Sequence, residues 1–509
     1  MDIAIVGGGA AAVGLLDALA ATEGEATAGG GTGTITVFEP SPQLWRGRPY
    51  GPDLDSVLVN APPAIMSIRN GDFGHYTAWL GERGADHVDG LLGRPLVPRA
   101  LYGEYLAQTA EKAVAALGER GWLVRVVAAQ VTEVVRSGAR LVLRTQDLME
   151  RHSTQEQHGR QKHEATHVVL CVGGGTPPDL YGLAGNPGFT ADPYPLADTL
   201  DRVPAGGDVA VIGSGLTAVD VVVSLAARGH TGRITLLSRG GVLPYVWQRP
   251  DDRRPRHLTA ERVTELHRAR GEVTLDDLIG LLRAELADAG EDFEELAAEL
   301  VGTTSDDPVQ RLRRQLAAVG DSRIGRRVLQ EAAHTVGPYA WRLLPASDRA
   351  WLRRHLRTAT GLASPMVPVN ATVLLRLLDS GQLSVTRGVH AIEPVEGRFR
   401  VRTRNDSERA AESVADTESV ANAEFVVNAE FVVNAVNPPP QTVPAAARRL
   451  VESLVATGLA TLHPSGGLTP ADPRVHVVGD LAGGGSFITS GIPGVAAQAS
   501  RTARALRTP

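Results

Sequence analysis

One cysteine, Cys171, is all that the 509 residues contain. That excludes an internal disulfide, a cysteine-built zinc site and any chemistry that cycles a pair of thiols. A lone cysteine in an apolar, strand-like run is expected to behave as a small buried hydrophobe. Aromatic residues make up only 4% of the chain, and no run of eighteen apolar residues occurs, so no segment reads as a membrane span. The formal net charge of −6 offers no basic surface for nucleic acid or an anionic membrane. The N-terminus starts directly in a strand with no basic region before it, which is not the pattern of a signal peptide; cytoplasmic is the expected location. With 43% apolar and 21% charged residues the chain reads as globular, and it is too long for one core, so two or three domains are expected. The wealth of Ala, Arg, Gly and Val beside few Lys has the look of a high-GC bacterial genome.

Other patterns are missing too. No carboxylate pair and no Ser/His/Asp arrangement stands out, and His75, His87 and His230 have no motif around them. His152, His158 and His163 lie in the polar segment 146–165 at spacings that fit no compact metal site, so that segment reads as a solvated hairpin loop and no metal is expected.

What is present is a repeated turn. Ile3-Ala-Ile-Val-Gly-Gly-Gly-Ala-Ala-Ala12 and Val209-Ala-Val-Ile-Gly-Ser-Gly-Leu-Thr-Ala218 lie about two hundred residues apart. Each follows a short apolar strand and opens a helix, the setting in which a glycine-rich fingerprint means dinucleotide binding. In the first, Gly7 allows the tight bend and Gly9 lets backbone amides approach a pyrophosphate. Ala10 and Ala11 open the helix, and Ala12 is small enough for it to lie close on the strand. The diphosphate would rest on the positive end of that helix. A second strand, Thr34–Phe38, ends at Glu39, placed to accept hydrogen bonds from ribose hydroxyls. In the second turn Gly213, Ser214, Gly215, Leu216 and Thr217 take the matching places. Its next strand ends at Ser238-Arg239, where an arginine beside a hydroxyl suits a 2′-phosphate. The first site therefore reads as FAD and the second as NADPH.

Along the chain, a long loop through Asn60-Ala-Pro-Pro63 follows the first unit, then an amphipathic helix near 101–117 and a strand meander over 122–145. The strand Thr166–Val172 breaks at Gly173-Gly-Gly, the usual way out of a nucleotide domain. Residues 251–362 turn helical and charge-rich, with Val263, Leu266, Leu278, Leu281, Leu282 and Leu286 as a core stripe, and read as an insertion. Strands resume at 383–386, 399–403 and 425–433, around an acidic, polar stretch over 405–422 that reads as an exposed loop. A tandem copy, Asn422-Ala-Glu-Phe-Val-Val427 and Asn428-Ala-Glu-Phe-Val-Val433, ends that stretch; one copy is expected to form the strand before Asn434 and the other to extend the loop or edge. The last strand ends at Gly479-Asp480, where an aspartate can bond a ribityl hydroxyl. The helix that follows opens near Ile492-Pro493 and can aim its N-terminus at the flavin N1/C2 region. The fold class expected is α/β, with two Rossmann-like dinucleotide-binding domains and a helical insertion. The FAD-binding domain would take 1–202 and 438–509. The NAD(P)H-binding domain would take 203–437, with 251–362 inserted.

Taken together, the chain resembles the two-dinucleotide-binding-domain flavoproteins, in particular their class B monooxygenase branch and a bacterial FAD/NAD(P)-binding family that includes amino-acid N-hydroxylating enzymes. The residues that carry this are the two turns, Arg48-Pro-Tyr-Gly51, Asn60–Ser67, Val97-Pro-Arg-Ala-Leu-Tyr-Gly-Glu-Tyr-Leu106 and Phe487-Ile-Thr-Ser490. The resemblance implies NADPH reducing FAD, oxygen adding at the flavin C4a, and the resulting hydroperoxide transferring oxygen to a nitrogen of an amino acid or amine. It places Arg48, Asn60 and Met66 near the flavin as catalytic candidates, with Arg99 and Ile492 in the FAD site. Asn60 would bond flavin or a peroxide oxygen, or else serve as an Asx-turn residue. The Phe-x-Gly-x-x-x-His-x-x-x-Trp fingerprint of Baeyer–Villiger enzymes is absent, and Ser364–Asn370 lacks the basic residues that family members carry there. Two alternatives stay open: an NADPH-dependent flavin dehydrogenase or reductase without oxygen insertion, and a non-catalytic nucleotide-binding protein.

Overall fold

The computed structural model describes residues 1–21, 32–146, 161–250, 253–302, 307–355, 361–403, 425–485 and 491–507. The His152 and His158 positions, the 405–422 stretch and Phe487–Ser490 lie outside them.

Two five-stranded parallel sheets dominate. The first has the order β3-β2-β1-β7-β18, built from β1 (Asp2–Val6), β2 (Thr34–Phe38), β3 (Leu123–Val127), β7 (His167–Leu170) and β18 (Val475–Val477). Its β1 is buried almost throughout, as a central parallel strand covered on both faces must be. Helix α1 (Ala10–Ala21), helix α3 (Arg99–Glu119) and the C-terminal helix Ile492–Ala505 cover one face around Val13, Leu16, Tyr102, Leu106 and Ala499. A small antiparallel sheet covers the other. It consists of β4 (Gln130–Ser137), β5 (Arg140–Gln146) and β6 (Lys162–Ala165), and packs with Leu450 and Leu454 of the helix Arg448–Ala456.

The second sheet has the order β11-β10-β9-β15-β8, alike in its first four strands, while its last strand precedes the others in the chain. Its strands are β8 (Phe189–Thr190), β9 (Val209–Ile212), β10 (Ile234–Leu237), β11 (Leu383–Thr386) and β15 (Phe431–Asn434). Helix α5 (Leu216–Ala227) and the helix Pro368–Asp379 pack on it. A three-stranded antiparallel sheet, β12 (Val389–Val395), β13 (Arg398–Thr403) and β14 (Phe425–Ala429), leads back into β15. A last pair, β16 (Ala460–Leu462) and β17 (Leu468–Pro470), precedes β18.

The α/β class and the paired Rossmann-like units are as the sequence indicated. Two details differ. The 122–145 stretch is no single meander, because β3 joins the first sheet as its parallel edge strand, beside β2. His163 does not lie in a loop. It sits on β6 with its ring edge-on to Phe38 at 4.9 Å. The tandem copies serve two sheets. As expected, the second forms the strand before Asn434, β15, inside the parallel sheet, and the first enters β14, an antiparallel edge strand that runs on into Asn428 and Ala429 of the second, with only Glu430 between the strands.

The insertion runs through helices from Ala260–Arg270 to Ala346–Arg354. Val263, Leu282 and Leu286 of the expected stripe are buried in its cores. It grips the segment after β10 by side chain to backbone bonds. Gln315 Oε1 accepts from Val246 N (3.2 Å), Gln330 Nε2 donates to Val246 O (3.0 Å), and Gln330 Oε1 accepts from Gln248 N (3.1 Å). The run bridges to Met366 on one side, and the Val246 polar groups that point to the other side are satisfied by buried glutamines.

His476 on β18 stacks on His167 of the adjacent β7 at 6.0 Å. Burial, with the like charge of His167, lowers its pKa to about 4. The unfolded-state value is about 6.5, so the neutral ring stabilises the fold fully above that pH, and the contribution is lost as pH falls from about 6.5 toward 4. Denaturant midpoints measured across this window are expected to fall on acidification, and to fall less steeply in His476→Gln; equal slopes would remove His476 as a cause.

Candidate functional site

At the first turn, Gly7 N donates to Phe38 O (2.9 Å) and Gly7 takes φ +100°. A Cβ there would stand 2.3 Å from the Cys171 carbonyl oxygen, so only glycine lets the chain turn against the end of β7. The next residue engages the terminal acid: Gly8 N donates to Glu39 Oε2 (2.7 Å), and Ser41 N donates to Glu39 Oε1 (2.8 Å). A carboxylate has about four acceptor sites, so Glu39 keeps capacity for ribose hydroxyls. Gly9 faces Gly47 across a narrow gap, and Ala12 N and Val13 N bond back to Gly9 O to start α1. Beyond β18, Gly479 N donates to Gln498 Oε1 (2.7 Å), and a Cβ on Gly479 would meet Ala11 at 3.6 Å. Asp480 therefore sits beside the head of α1, next to Gly174. Gly7, Gly9 to Ala12, Glu39 and Asp480 are gathered at the carboxyl ends of β1, β2 and β18, where open parallel sheets bind ligands. Ile492 is the buried first residue of the C-terminal helix. These cradles fit a dinucleotide.

The second turn repeats the bond: Gly213 N donates to Leu237 O (2.7 Å), with φ +119°. A Cβ there would meet the Ala435 carbonyl oxygen at 2.8 Å. Gly215 caps α5, which starts at Leu216. The hydroxyls of the turn are engaged by protein: Ser214 Oγ donates to Val242 O (2.7 Å) and Thr217 Oγ1 to Asn437 Oδ1 (3.0 Å). At the end of β10, Ser238 Oγ accepts from Gly241 N (2.6 Å) and Arg239 is exposed.

Residues 4–175 match the FAD-NAD(P)-binding family model. Among curated relatives, an uncharacterized protein of Mycobacterium tuberculosis is 28% identical over 343 residues, 57% of this chain and 60% of its own length. A Mycobacterium bovis counterpart, also uncharacterized, matches equally. The match thus spans three fifths of these relatives. In fold, the chain is similar to L-lysine 6-monooxygenase from Pseudomonas syringae (TM-score 0.56, 16% identity, 99% of this chain and 100% of that one). It is similar also to ornithine hydroxylase from Pseudomonas aeruginosa (0.53, 14%, 99% of both). A third is the FAD-bound cadaverine monooxygenase of desferrioxamine biosynthesis from Erwinia amylovora (0.53, 13%, 99% and 94%). At such identities the likeness establishes the fold, that of a two-domain flavoprotein.

The other residues singled out in the sequence meet where the two domains touch. Arg99 opens α3, whose Gly103 lets the helix lie on the backbone of Tyr50; a Cβ there would be 2.1 Å from Tyr50 O. Tyr102 Oη donates to Met66 O (2.8 Å) and Tyr105 Oη accepts from Ile68 N (3.1 Å), so α3 holds the loop that carries Asn60 and Met66. Met66 itself is buried in the first domain's core. The Arg99 guanidinium reaches across to the second domain: Nη2 to Asp220 Oδ2 (2.5 Å) on α5 and Nη1 to Tyr194 Oη (3.0 Å), with Nε on Leu58 O (3.0 Å). Tyr194 Oη donates to Asp220 Oδ2 (2.5 Å), and Asn60 Nδ2 donates to Asp220 Oδ1 (3.4 Å). Arg48 joins from the exposed side, paired with Asp192 (2.5 Å) and 5.8 Å from the Tyr194 ring.

Burial pushes the Asp220 carboxyl up, against Arg99 and the hydrogen bonds that hold it down. Because the Tyr194 oxygen already accepts from Arg99, its proton must point at Asp220; every neighbour is then a donor, which favours the carboxylate. Burial also pushes the Cys171 thiol far up, leaving it unreactive. Among the described residues no group of His, Cys, Asp and Glu could hold a metal, and no helix is long and apolar enough to cross a membrane.

Sequence reasoning missed Tyr194, Asp220 and Trp247, although Asp220 closes the second fingerprint. Trp247 Nε1 donates to Asn60 O (2.9 Å), and its ring stacks on His334 of the insertion. Trp341 of the insertion donates to Gly484 O (3.0 Å), four residues past Asp480. The insertion thereby touches both the Asn60 loop and the Asp480 turn.

If each turn holds its own nucleotide, alanine at each should be selective. Gly213→Ala is expected to weaken pyridine-nucleotide binding by at least about tenfold while FAD content stays intact, because a strained φ > 0 residue costs about 1 kcal/mol or more before the clash is counted. Gly7→Ala should do the reverse. Titration of each variant with both nucleotides distinguishes the sites, and loss of both ligands in both variants would defeat the assignment.

Proposed function

We propose that the chain is an FAD-dependent, NADPH-using monooxygenase that transfers one oxygen atom to a nitrogen of an amino acid or amine. The observation that carries this reading is the meeting of the two nucleotide units at one seam. Asp220 lies four residues beyond Leu216 and so about 6 Å along α5 from the second turn, and it bonds Asn60 of the first domain's loop. A hydride donor on the second turn and an acceptor on the first would face each other there. The fold likeness to the lysine, ornithine and cadaverine enzymes named above supports nitrogen as the oxygenated atom.

FAD, when bound, accepts a hydride from NADPH and activates O₂. The overall balance is R–NH₂ + O₂ + NADPH + H⁺ giving R–NHOH + H₂O + NADP⁺. The protein's own part is to bind, orient and exclude water. Gly7 to Ala12 and Glu39 would hold the FAD pyrophosphate and ribose, with Asp480 on the ribityl chain. The N-terminus at Ile492 favours negative charge near the flavin ring. Ser238 and Arg239 would take the 2′-phosphate of NADPH. Arg48 would stand at the approach from the first domain, Met66 would act from within that domain's core, and Asn60 would supply a polar group at the seam. Arg99 would act on the FAD site through the loop whose Leu58 carbonyl it holds. The domain assignment follows: 1–202 and 438–509 for FAD, 203–437 for NADPH, with β8 contributed to the second sheet from within the first stretch.

The test is NADPH consumption by FAD-loaded protein in air against a panel of diamines and basic amino acids. At least one amine should accelerate consumption several-fold and yield hydroxylamine in proportion. Indifference to every amine would leave an NADPH-dependent flavin reductase instead. In the same assay Arg239→Ala should raise the KM for NADPH about tenfold or more and leave that for NADH unchanged, the scale of a lost charge-assisted hydrogen bond.

A further inference from the structure

Asn60 is clamped by its backbone. Its carbonyl oxygen accepts from Trp247 Nε1, the preceding Leu58 carbonyl accepts from Arg99 Nε, and Val59 N donates to Val97 O (2.9 Å). What remains free to choose is the orientation of the side-chain amide. One group decides it. Asp220, with no solvent exposure, offers only acceptor atoms, so it must draw the NH₂ end of Asn60, as the 3.4 Å contact to Oδ1 records. The Asn60 Oδ1 is thereby turned away from Asp220. It is buried and accepts no hydrogen bond among the described residues. A buried amide oxygen left without a donor is unfavourable in itself, and its residue bridges the two domains through Asp220.

We propose that Asp220 is a positioning residue that fixes the Asn60 amide so that its Oδ1 is presented to the seam as an acceptor for an N–H group of the bound reactants. The proposal rests on the reading of the seam as the reaction site. Two sources could supply that N–H: the substrate amine or the carboxamide of the nicotinamide. Arg99 and Tyr194 occupy the other Asp220 oxygen, so the same carboxylate that joins the domains also sets the orientation of the Asn60 amide.

That orientation can be inverted and restored. In Asp220→Asn, the amide oxygen stays with Arg99 and Tyr194, and the NH₂ is turned toward Asn60. Two NH₂ groups cannot face each other, so Asn60 must rotate and offer its own NH₂ to the seam. In the double variant Asn60→Asp/Asp220→Asn, the new carboxylate accepts from the amide at 220 and keeps one oxygen facing the seam. Dissociation constants for NADPH and for the amine on FAD-loaded, oxidised protein read the result without turnover. Asp220→Asn is expected to weaken whichever ligand supplies the N–H by about tenfold, with FAD content and cooperative unfolding kept. The double variant should return to within about threefold of the wild type. A change confined to NADPH identifies the carboxamide, and one confined to the amine identifies the substrate.

Binding of both ligands within twofold of wild type in Asp220→Asn, or a double variant no better than the single, would overturn the proposal. Should Asp220→Asn yield no folded protein, Asn60→Leu removes the acceptor while leaving the Arg99–Asp220 pair; the same weakening is expected, and unchanged binding of both ligands defeats the idea. A wild-type protein that binds NADPH but no amine sinks the N-oxygenation reading alone, and the NADPH arm still decides the role of Asp220.

Discussion

A carboxylate wholly removed from water has to be neutralised by whatever surrounds it, and the cluster that neutralises Asp220 joins four separate parts of the chain. Arg99 comes from the head of α3, Tyr194 from the connector between the domains, Asn60 from the loop beneath α3, and Asp220 itself from the helix of the second nucleotide turn. Removing one partner of such a pair costs about 3–5 kcal/mol, because the other is left charged and unsolvated. The relative placement of the two domains is therefore tied to this cluster. Apolar contact across the seam could tolerate sliding; a guanidinium that must meet two oxygens at fixed angles cannot.

Around that anchor the two nucleotide units are variations on one geometry. In each, a glycine N–H returns to the end of the neighbouring strand, and a carbonyl from the strand on the other side leaves no room for a Cβ. Identical constraints at the centre leave function to the periphery. One unit closes with an acid bonded to its own turn. The other closes with a serine and a solvent-facing arginine. On the proposed reading, this change at a strand end is what separates the two nucleotides.

The parts legible in the sequence were those written locally. Glycine spacing after an apolar strand, and the residue at the end of the next strand, are set within forty residues and gave both turns. The Leu stripe of the insertion was equally local. What escaped was long-range. Arg99 and Asp220 are 121 residues apart, and nothing near Arg99 signals that its guanidinium faces the second domain. Gln315 and Gln330 look like surface residues of charged helices, yet they satisfy a stranded backbone at Val246. Residues 123–127 read as one strand of a meander, but their pairing with β2 depends on where α3 delivers the chain.

The duplicated hexapeptide carries a consequence of another kind. Two neighbouring strands with one sequence present the folding chain with two equally good candidates for each berth, the antiparallel edge and the parallel interior. The two choices differ in how much chain precedes the strand, and the length of a connection costs little free energy. A slide by six residues would therefore exchange the occupants while preserving which side chains face each layer. Shortening the sequence by one copy would still leave a strand to fill the interior.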